Sequence, residues 1–361
     1  MIARRRLLAA ASAGLLSGAA TLPPVEGQKR PFRIVMLLFR GWEEACDGFR
    51  DYFTSRGIAV ELIIRDAHER LAPIVDYVRE INAMRPDLVY VWGTGTAITA
   101  LGPWDAIDPA RHIVGAPVVF NIVTDPVGNR IVKSLADPGR DATGTIYITP
   151  LDVQLHTMEA YRRYQTIATI YNSAEQNSLA IVGALRQQMA ASGRRLIDSP
   201  LPTTSANRPD GAAIPALVAA AKQGKADWLY IPPDTFLNEE RERLTEAALD
   251  VGLPTFSATE RFVTFSHGLA GLVCRYYNIG AFTAFKAEQI LLGGMRARDI
   301  PVETLSRFSL LIRIETAKHL AFFHRFRCCG IRRRFEFLGA RKAKACLGTA
   351  KGHRPFGNPG F

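Results

Sequence analysis

Residues 116–149 read APVVFNIVTDPVGNRIVKSLADPGRDATGTIYIT. Val118 to Val123 is a β-branched and aromatic run of strand type. Thr124-Asp125-Pro126-Val127-Gly128 then forms a turn able to open a helix, with Asp125 as cap and Pro126 at its first position. That helix is expected to carry Val127, Ile131, Val132 and Leu135 on one side and to stop at Asp137-Pro138-Gly139. A second strand is expected from Thr145 to Thr149. A strand that ends in a polar loop at a helix start is where an open α/β sheet holds ligands.

The same grammar extends outward in both directions. Upstream, Arg33 to Phe39 is a nearly continuous apolar strand, as a sheet covered on both faces requires. Trp42, Ala45, Phe49, Tyr52 and Phe53 then recur at helical spacing, with Gly57 as C-cap. Val60 to Ile64 and Leu88 to Trp92 are further strands. A helix marked by Leu71, Ile74, Val75, Val78 and Ile81 lies between them, and Gly93-Thr94-Gly95-Thr96 closes the last. Such strand–loop–helix units predict a parallel sheet with right-handed crossovers. Downstream the pattern restarts, with strands at Thr166–Tyr171, Arg194–Asp198, Asp227–Ile231 and Thr255–Ala258 separated by helices. Tyr277 to Leu292 reads as a helix and Leu310 to Ile314 as a last strand. The chain is therefore α/β, built of two similar halves.

The net charge of +11 suggests nucleic acid until it is located. Arg4, Arg5 and Arg6 supply three of these charges, and residues 324–361 carry ten Lys or Arg against Glu336 alone. That leaves 32 basic and 33 acidic side chains for residues 7–323, so the body is nearly neutral and carries no basic patch of the kind a nucleic-acid module keeps. The three arginines precede a mild apolar stretch interrupted by Gly14 and Gly18, with small residues around Ala19 and Ala20. This is the order of an export signal, secretory or twin-arginine, and it is too short and glycine-rich for a membrane span. No cysteine sits at the cleavage region, so a lipid anchor is not indicated. Cys46 and Cys274 lie in apolar contexts as small buried side chains, with a disulfide between them open after export. Cys328, Cys329 and Cys346 lack zinc spacing.

Catalytic constellations are missing from the sequence. There is no GxGxxG after the first strand, no P-loop lysine, no GxSxG elbow and no HExxH or other close-set group of metal ligands. No cofactor or metal is expected. Two α/β halves leave a two-lobed binding protein or, as the alternative, an exported enzyme acting on a small metabolite between its domains.

Several blocks carry a resemblance. Asp125-Pro126-Val127-Gly128, Ser134-Leu135-Ala136, Pro138-Gly139 and Thr143-Gly144 form the first. Tyr171-Asn172-Ser173-Ala174 and Asp234 follow. Gly271, Tyr276-Tyr277, Gly280, Ala284 and Ile290-Leu291-Leu292-Gly293 form the last. Over roughly residues 33–323 the chain resembles the solute-binding components of ABC-type importers, in the TrpX-like group. The resemblance implies a type-I periplasmic binding fold: two Rossmann-like lobes, three crossovers and a central ligand cleft. On that frame residues 1–28 are signal and linker. Residues 29–146 form the first lobe, with 265–305 returning to it. Residues 147–264 form the second, with 306–323 returning. Residues 324–361 depart from the family pattern as an atypical basic tail, through a change of reading frame, a disordered extension or an arm for an anionic surface, and are expected to add little to the fold.

The function so implied is capture of a small polar solute in the periplasm: an amino acid, of the aromatic kind that the resemblance suggests, or else a small peptide, a sugar or another metabolite. Delivery would be to a membrane permease with its cytoplasmic ATPase, by a monomer without catalysis. The ligand is expected at the C-terminal strand ends. The first lobe offers Arg40, Trp42, Gly93, Thr94, Asn121, Thr124 and Asp125; the second offers Tyr147, Asn172, Asp234 and Glu260. Amides after Gly93 and Thr124, with Arg40, suit a carboxylate. Asp125, Asp234 or Glu260 suit an ammonium group, and Trp42 or Tyr147 an apolar or aromatic part. Hinges are expected near Thr143–Tyr147 and Ser257–Thr264.

Overall fold

The computed structural model describes residues 28, 30–206, 208–322 and the strand 336–338. The expected leader before residue 28 lies outside the described residues, as does most of the basic tail. The first lobe runs β1 (Phe32–Leu38), α1 (Glu44–Ser55), β2 (Val60–Asp66), α2 (Ile74–Met84), β3 (Leu88–Trp92), α3 (Thr94–Leu101), β4 (Val118–Val123) and β5 (Ala142–Ile146). The second runs α4 (Leu151–Tyr161), β6 (Thr166–Tyr171), α5 (Gln176–Ala191), β7 (Arg195–Pro200), α6 (Ile214–Gln223) and β8 (Trp228–Ile231). It continues with α7 (Thr235–Glu239), α8 (Arg241–Asp250), β9 (Thr255–Ser257), α9 (Arg261–Thr264) and β10 (Ala270–Val273). The chain then returns to the first lobe for α10 (Tyr276–Leu291) and β11 (Glu303–Thr304), and to the second for β12 (Ser309–Arg313), α11 (Ile314–His319) and β13 (Glu336–Leu338).

The first sheet has six strands in the order β11-β5-β4-β3-β1-β2, all parallel. The second has seven, β13-β12-β10-β9-β8-β6-β7, in which only the β10–β12 pairing is antiparallel. Each sheet is covered on both faces, which explains the unbroken apolar strands. In β1, Ile34, Met36 and Leu38 face a layer with Phe49, Phe53, Tyr90 and Ile279, while Val35 and Leu37 face Ile74, Val89 and Phe120 on the other side. In the second lobe Trp228 and Phe256 pack with Met158 and Leu185, and Leu229 packs with Val218, Leu244 and Phe262. Helices α1 and α10 cross closely because both are glycine at the contact. A Cβ on Gly48 would lie 1.9 Å from the Tyr277 carbonyl oxygen, and one on Gly280 1.9 Å from that of Ala45. Cys46 and Cys274 are free thiols within the same core layer, not a disulfide. Burial pushes the Cys46 thiol up to about 12 and that of Cys274 up to about 11. No helix of the described residues is long and apolar enough to cross a membrane.

Four expectations change. First, no helix follows Asp125. Asp125 (φ 46°) and Arg130 (φ 55°) are left-handed, which breaks a right-handed helix at both ends and leaves a run of turns. Ile131 and Val132 are buried, but Val127 and Leu135 stay exposed. Second, the return to the first lobe begins at Tyr276 and not at residue 265, because β10 pairs with β9 and β12 in the second sheet. The lobes are thus joined after Ile146, after Val273 and after Thr304, and Ser257–Thr264 lies inside the second lobe. Third, the expected strand at Thr145–Thr149 lies earlier, at Ala142–Ile146, since the later residues already cross between lobes. Fourth, the tail is not wholly outside the fold: Glu336–Leu338 pairs with Leu311–Arg313, covering a sheet edge otherwise open to pairing.

Candidate functional site

A cavity of about 650 Å³ opens between the lobes at the C-terminal ends of both sheets. That size suits one small metabolite. On the first-lobe side, β3 ends at Trp92 and turns through Gly93, whose φ of 94° and ψ of 151° are open essentially to glycine alone. Helix α3 starts at once, and no side chain caps it. Its first residues, Thr94 and Gly95, line the cavity, so amides that a cap would otherwise satisfy sit at the cleft wall. Thr94 itself is fixed: its Oγ1 accepts from the Thr124 amide at 2.9 Å. Trp92 is 4% exposed, lines the cavity, and keeps its indole Nε1 buried with no partner. The Arg40 guanidinium lies 4.9 Å over its ring.

Next to this wall, β4 carries a bulge between Phe120 and Val123. Ile122 there has φ 54°, a true outlier for a β-branched residue, and it lines the cavity. Bulges and strained backbone of this kind concentrate beside functional sites. Tyr147 and Tyr276, from two of the connections between lobes, meet edge to face with centroids 5.7 Å apart, and both line the cavity.

The second-lobe wall is built from the ends of β6 and β8. Asp234 accepts from the Asn172 amide at 2.7 Å, the Ser178 hydroxyl at 2.7 Å and the Leu237 amide at 2.8 Å. It therefore caps α7 and ties β6 to β8. Burial and the neighbouring Glu175 charge hold its carboxyl up at about 7 against those donors. Glu175 accepts from the Thr235 amide at 2.8 Å and the Phe236 amide at 3.0 Å, and from the side chains of Asn172 and Asn177, both at 3.1 Å. The start of α7 is thus already filled by protein carboxylates, unlike that of α3.

Of the residues expected at the site, Arg40, Gly93, Thr94, Tyr147, Asn172 and Asp234 line one cavity. The other five do not. Trp42 is 40% exposed, donates to Asp47 at 2.9 Å and stacks with Arg50. Asn121 is buried and donates to the Tyr90 hydroxyl at 2.9 Å. Thr124 lies behind Thr94. Asp125 accepts from the Gly128 amide at 2.9 Å, and a Cβ on Gly128 would strike its Oδ2 at 2.0 Å. The Asp-Pro-Val-Gly block has the chemistry of a tight turn. Glu260 accepts from the Tyr276 amide at 2.7 Å and pairs with Arg275, anchoring the second connection between lobes, and burial raises its pKa. Arg40 is engaged too, in a two-pronged pair with Glu43 at 2.9 and 3.3 Å.

Residues that the sequence reading did not place at the site also line the cavity: Trp92, Glu175, Phe236, Tyr276, and the carboxylates Glu69 and Glu239. Trp92 had a readable signal, as the last strand residue before the helix-opening glycine. Elsewhere the fold gathers Glu242, Glu246 and His267 on the surface of the second lobe, which spacing in sequence did not reveal. They stand outside the cavity wall.

Two doubly wound lobes joined three times, with a cleft between their C-terminal strand edges, define the type-I periplasmic binding fold. A conserved domain protein from Vibrio cholerae has the same fold, at a TM-score of 0.68 and 22% identity over 82% of this chain and 97% of that one. So does a Streptococcus pneumoniae ABC domain in complex with L-Trp, at a TM-score of 0.65 and 22% identity over 81% of this chain and 96% of that one. A tyrosine-binding protein of Clostridioides difficile is 28% identical over 240 residues, which cover 65% of this chain and 63% of the relative. That match spans less than two thirds of the relative's length. Residues 35–324 match the ABC transporter substrate binding protein family, and the chain belongs to that family.

Proposed function

We propose that this chain captures an aromatic amino acid outside the cytoplasm and delivers it to the permease of an ABC importer. The observation that carries the ligand assignment is the buried, unpartnered indole N–H of Trp92 beside the uncapped start of α3. An orphaned buried donor costs about 1–3 kcal/mol until an acceptor arrives. A ligand carboxylate supplies that acceptor and suits the positive end of the helix. The amides of Thr94 and Gly95 and the Trp92 indole take the carboxylate. Tyr147 and Tyr276 flank the apolar part, and Asn172 and Asp234 hold the second-lobe wall in place. The relatives that bind tyrosine and L-Trp support the same class. Residues 1–28 serve as the leader to the periplasm, tested by N-terminal sequencing of the fractionated protein.

Isothermal titration and thermal shift with L-tyrosine and L-tryptophan, against glycine, a hexose and myo-inositol, test the ligand class. The expected result is micromolar or tighter binding of one aromatic amino acid and a raised melting temperature. A sugar that binds more tightly than either aromatic amino acid overturns the assignment.

A further inference from the structure

We propose that Arg261 of the second lobe and Glu43 of the first form a reversible tie that holds the lobes facing each other across the cleft. The inference goes beyond the ligand assignment and does not depend on it. Glu43 stands just before α1, and Arg261 opens α9 on the other lobe. The Arg261 Nη1 lies 3.4 Å from the Glu43 Oε1 and donates to the Glu44 Oε2 at 3.5 Å. Neither contact belongs to one of the three connections, so both form only when the lobes approach each other.

The same Glu43 oxygen accepts from the Arg40 Nε at 2.9 Å, and its other oxygen takes the Arg40 Nη2 at 3.3 Å. Glu43 occupies the N-cap position of α1 yet makes no side-chain cap bond. Its carboxylate is turned to the two arginines instead. Arg40 in turn lies over the Trp92 ring in the ligand cavity. Glu44 lines a second cavity of about 440 Å³ with Glu260, Phe265 and Tyr277. One carboxylate thus connects the ligand wall of the first lobe to the second lobe.

Burial decides which half of this network can open. The Arg40 and Glu43 side chains are 9% and 8% exposed, so their pair is shielded from salt and costly to break. Arg261 is 21% exposed and Glu44 39%, and ion pairs at that exposure are weak and screened by salt. When the lobes part, Glu43 keeps Arg40, and no buried charge is stranded. Arg261 keeps the Phe265 ring of its own lobe, 5.3 Å from its guanidinium. The cross-lobe half can therefore be made and broken at small cost. A ligand that touches both walls favours the same approach of the lobes, so the tie raises its apparent affinity.

The first test is small-angle X-ray scattering of the ligand-free full chain, at low salt and at about 0.5 M NaCl, where charges are screened within a few ångströms. Arg261→Gln removes the cross-lobe contacts and spares the Arg40–Glu43 pair. An unchanged near-ultraviolet circular dichroism spectrum checks its folding. It should show a larger radius of gyration than the parent at low salt, and the parent should rise to match it at high salt. Arg261→Lys, which restores the charge, should return most of the parent's low-salt value. The second test is calorimetric titration with L-tyrosine. Arg261→Gln should bind it about two- to fivefold more weakly at low salt, with the gap closing at high salt. Scattering by Arg261→Gln identical to the parent's at low salt overturns the tie. So does a difference that persists undiminished at high salt, or one that Arg261→Lys fails to correct, since either marks lost packing and not lost charge. Equal tyrosine affinity of parent and Arg261→Gln at low salt overturns its bearing on capture. If neither L-tyrosine nor L-tryptophan binds the parent, the amino-acid reading fails, while the scattering still decides the tie.

Discussion

Replacing Asp234 by alanine separates a stitching role from a ligand-contact role. The side chain is 5% exposed and accepts three hydrogen bonds, from two amides and a hydroxyl, that hold β6, α5 and the start of α7 together. Bonds to a charged acceptor are worth about 1.5–3 kcal/mol each, and a donor left buried and unpaired costs about 1–3 kcal/mol. Discounting for overlap and for water entering the space, the loss should be about 3–5 kcal/mol. In a protein of this size that lowers the ligand-free Tm by roughly 5–8 °C. Asp234→Asn keeps one acceptor and should lose about 1–3 kcal/mol near neutral pH. The pH profile carries a sign as well. The folded carboxyl titrates near 7 against an ordinary 3.8, so the native state holds its proton more tightly than the unfolded chain. The stability tied to that proton is fully present below about pH 4 and is lost as pH rises through 7. Asn cannot titrate, so that downward slope should be missing from its profile. Melting curves of both variants at pH 4–8, without ligand, are the assay. A Tm within 2 °C of the parent, combined with a tenfold loss of tyrosine affinity, would refute the stitching role and return Asp234 to the ligand.

Trp92→Phe removes the orphan N–H while keeping most of the wall. It should weaken tyrosine by about five- to tenfold by titration, with little loss of stability. Asp125→Ala should leave affinity unchanged and cost about 1 kcal/mol by denaturant melt, since its carboxylate serves its own turn. Gly280→Ala drives a methyl against the Ala45 carbonyl oxygen, backbone that cannot step aside. It should destabilise by about 1–3 kcal/mol or more, read as a lower urea midpoint.

The strands were readable because a sheet covered on both faces demands apolar residues at every position. Arg33–Phe39 and Thr166–Tyr171 announce themselves that way. The Asp125 block was not, because Asp-Pro-x-Gly suits both a helix cap and a closed turn. The choice falls to φ at Asp125 and Arg130, which local sequence leaves open. Strand-end logic located the loops of the site but not the direction of each side chain within them. Arg40 and Trp42 are two residues apart, yet one faces the cavity and the other faces solvent beside Asp47. Glu69 and Glu239 are 170 positions apart and belong to different lobes. That both line one cavity is a property of the assembled cleft, with no local pattern to betray it.

The threefold passage of the chain between lobes also dictates an order of events during synthesis. The layer over Phe49, Phe53 and Tyr90 is completed by Ile279, Ala284 and Ala287 of α10, and the sheet edge at β5 by β11. Neither exists until the second lobe has been made as far as β10. At ribosomal speeds of 5–20 residues per second the nascent first half waits roughly 6–25 s with that apolar face open to water. A chain so arranged stays incompletely folded until nearly all of it has emerged, the condition in which a threading export channel can accept it and a chaperone can hold it.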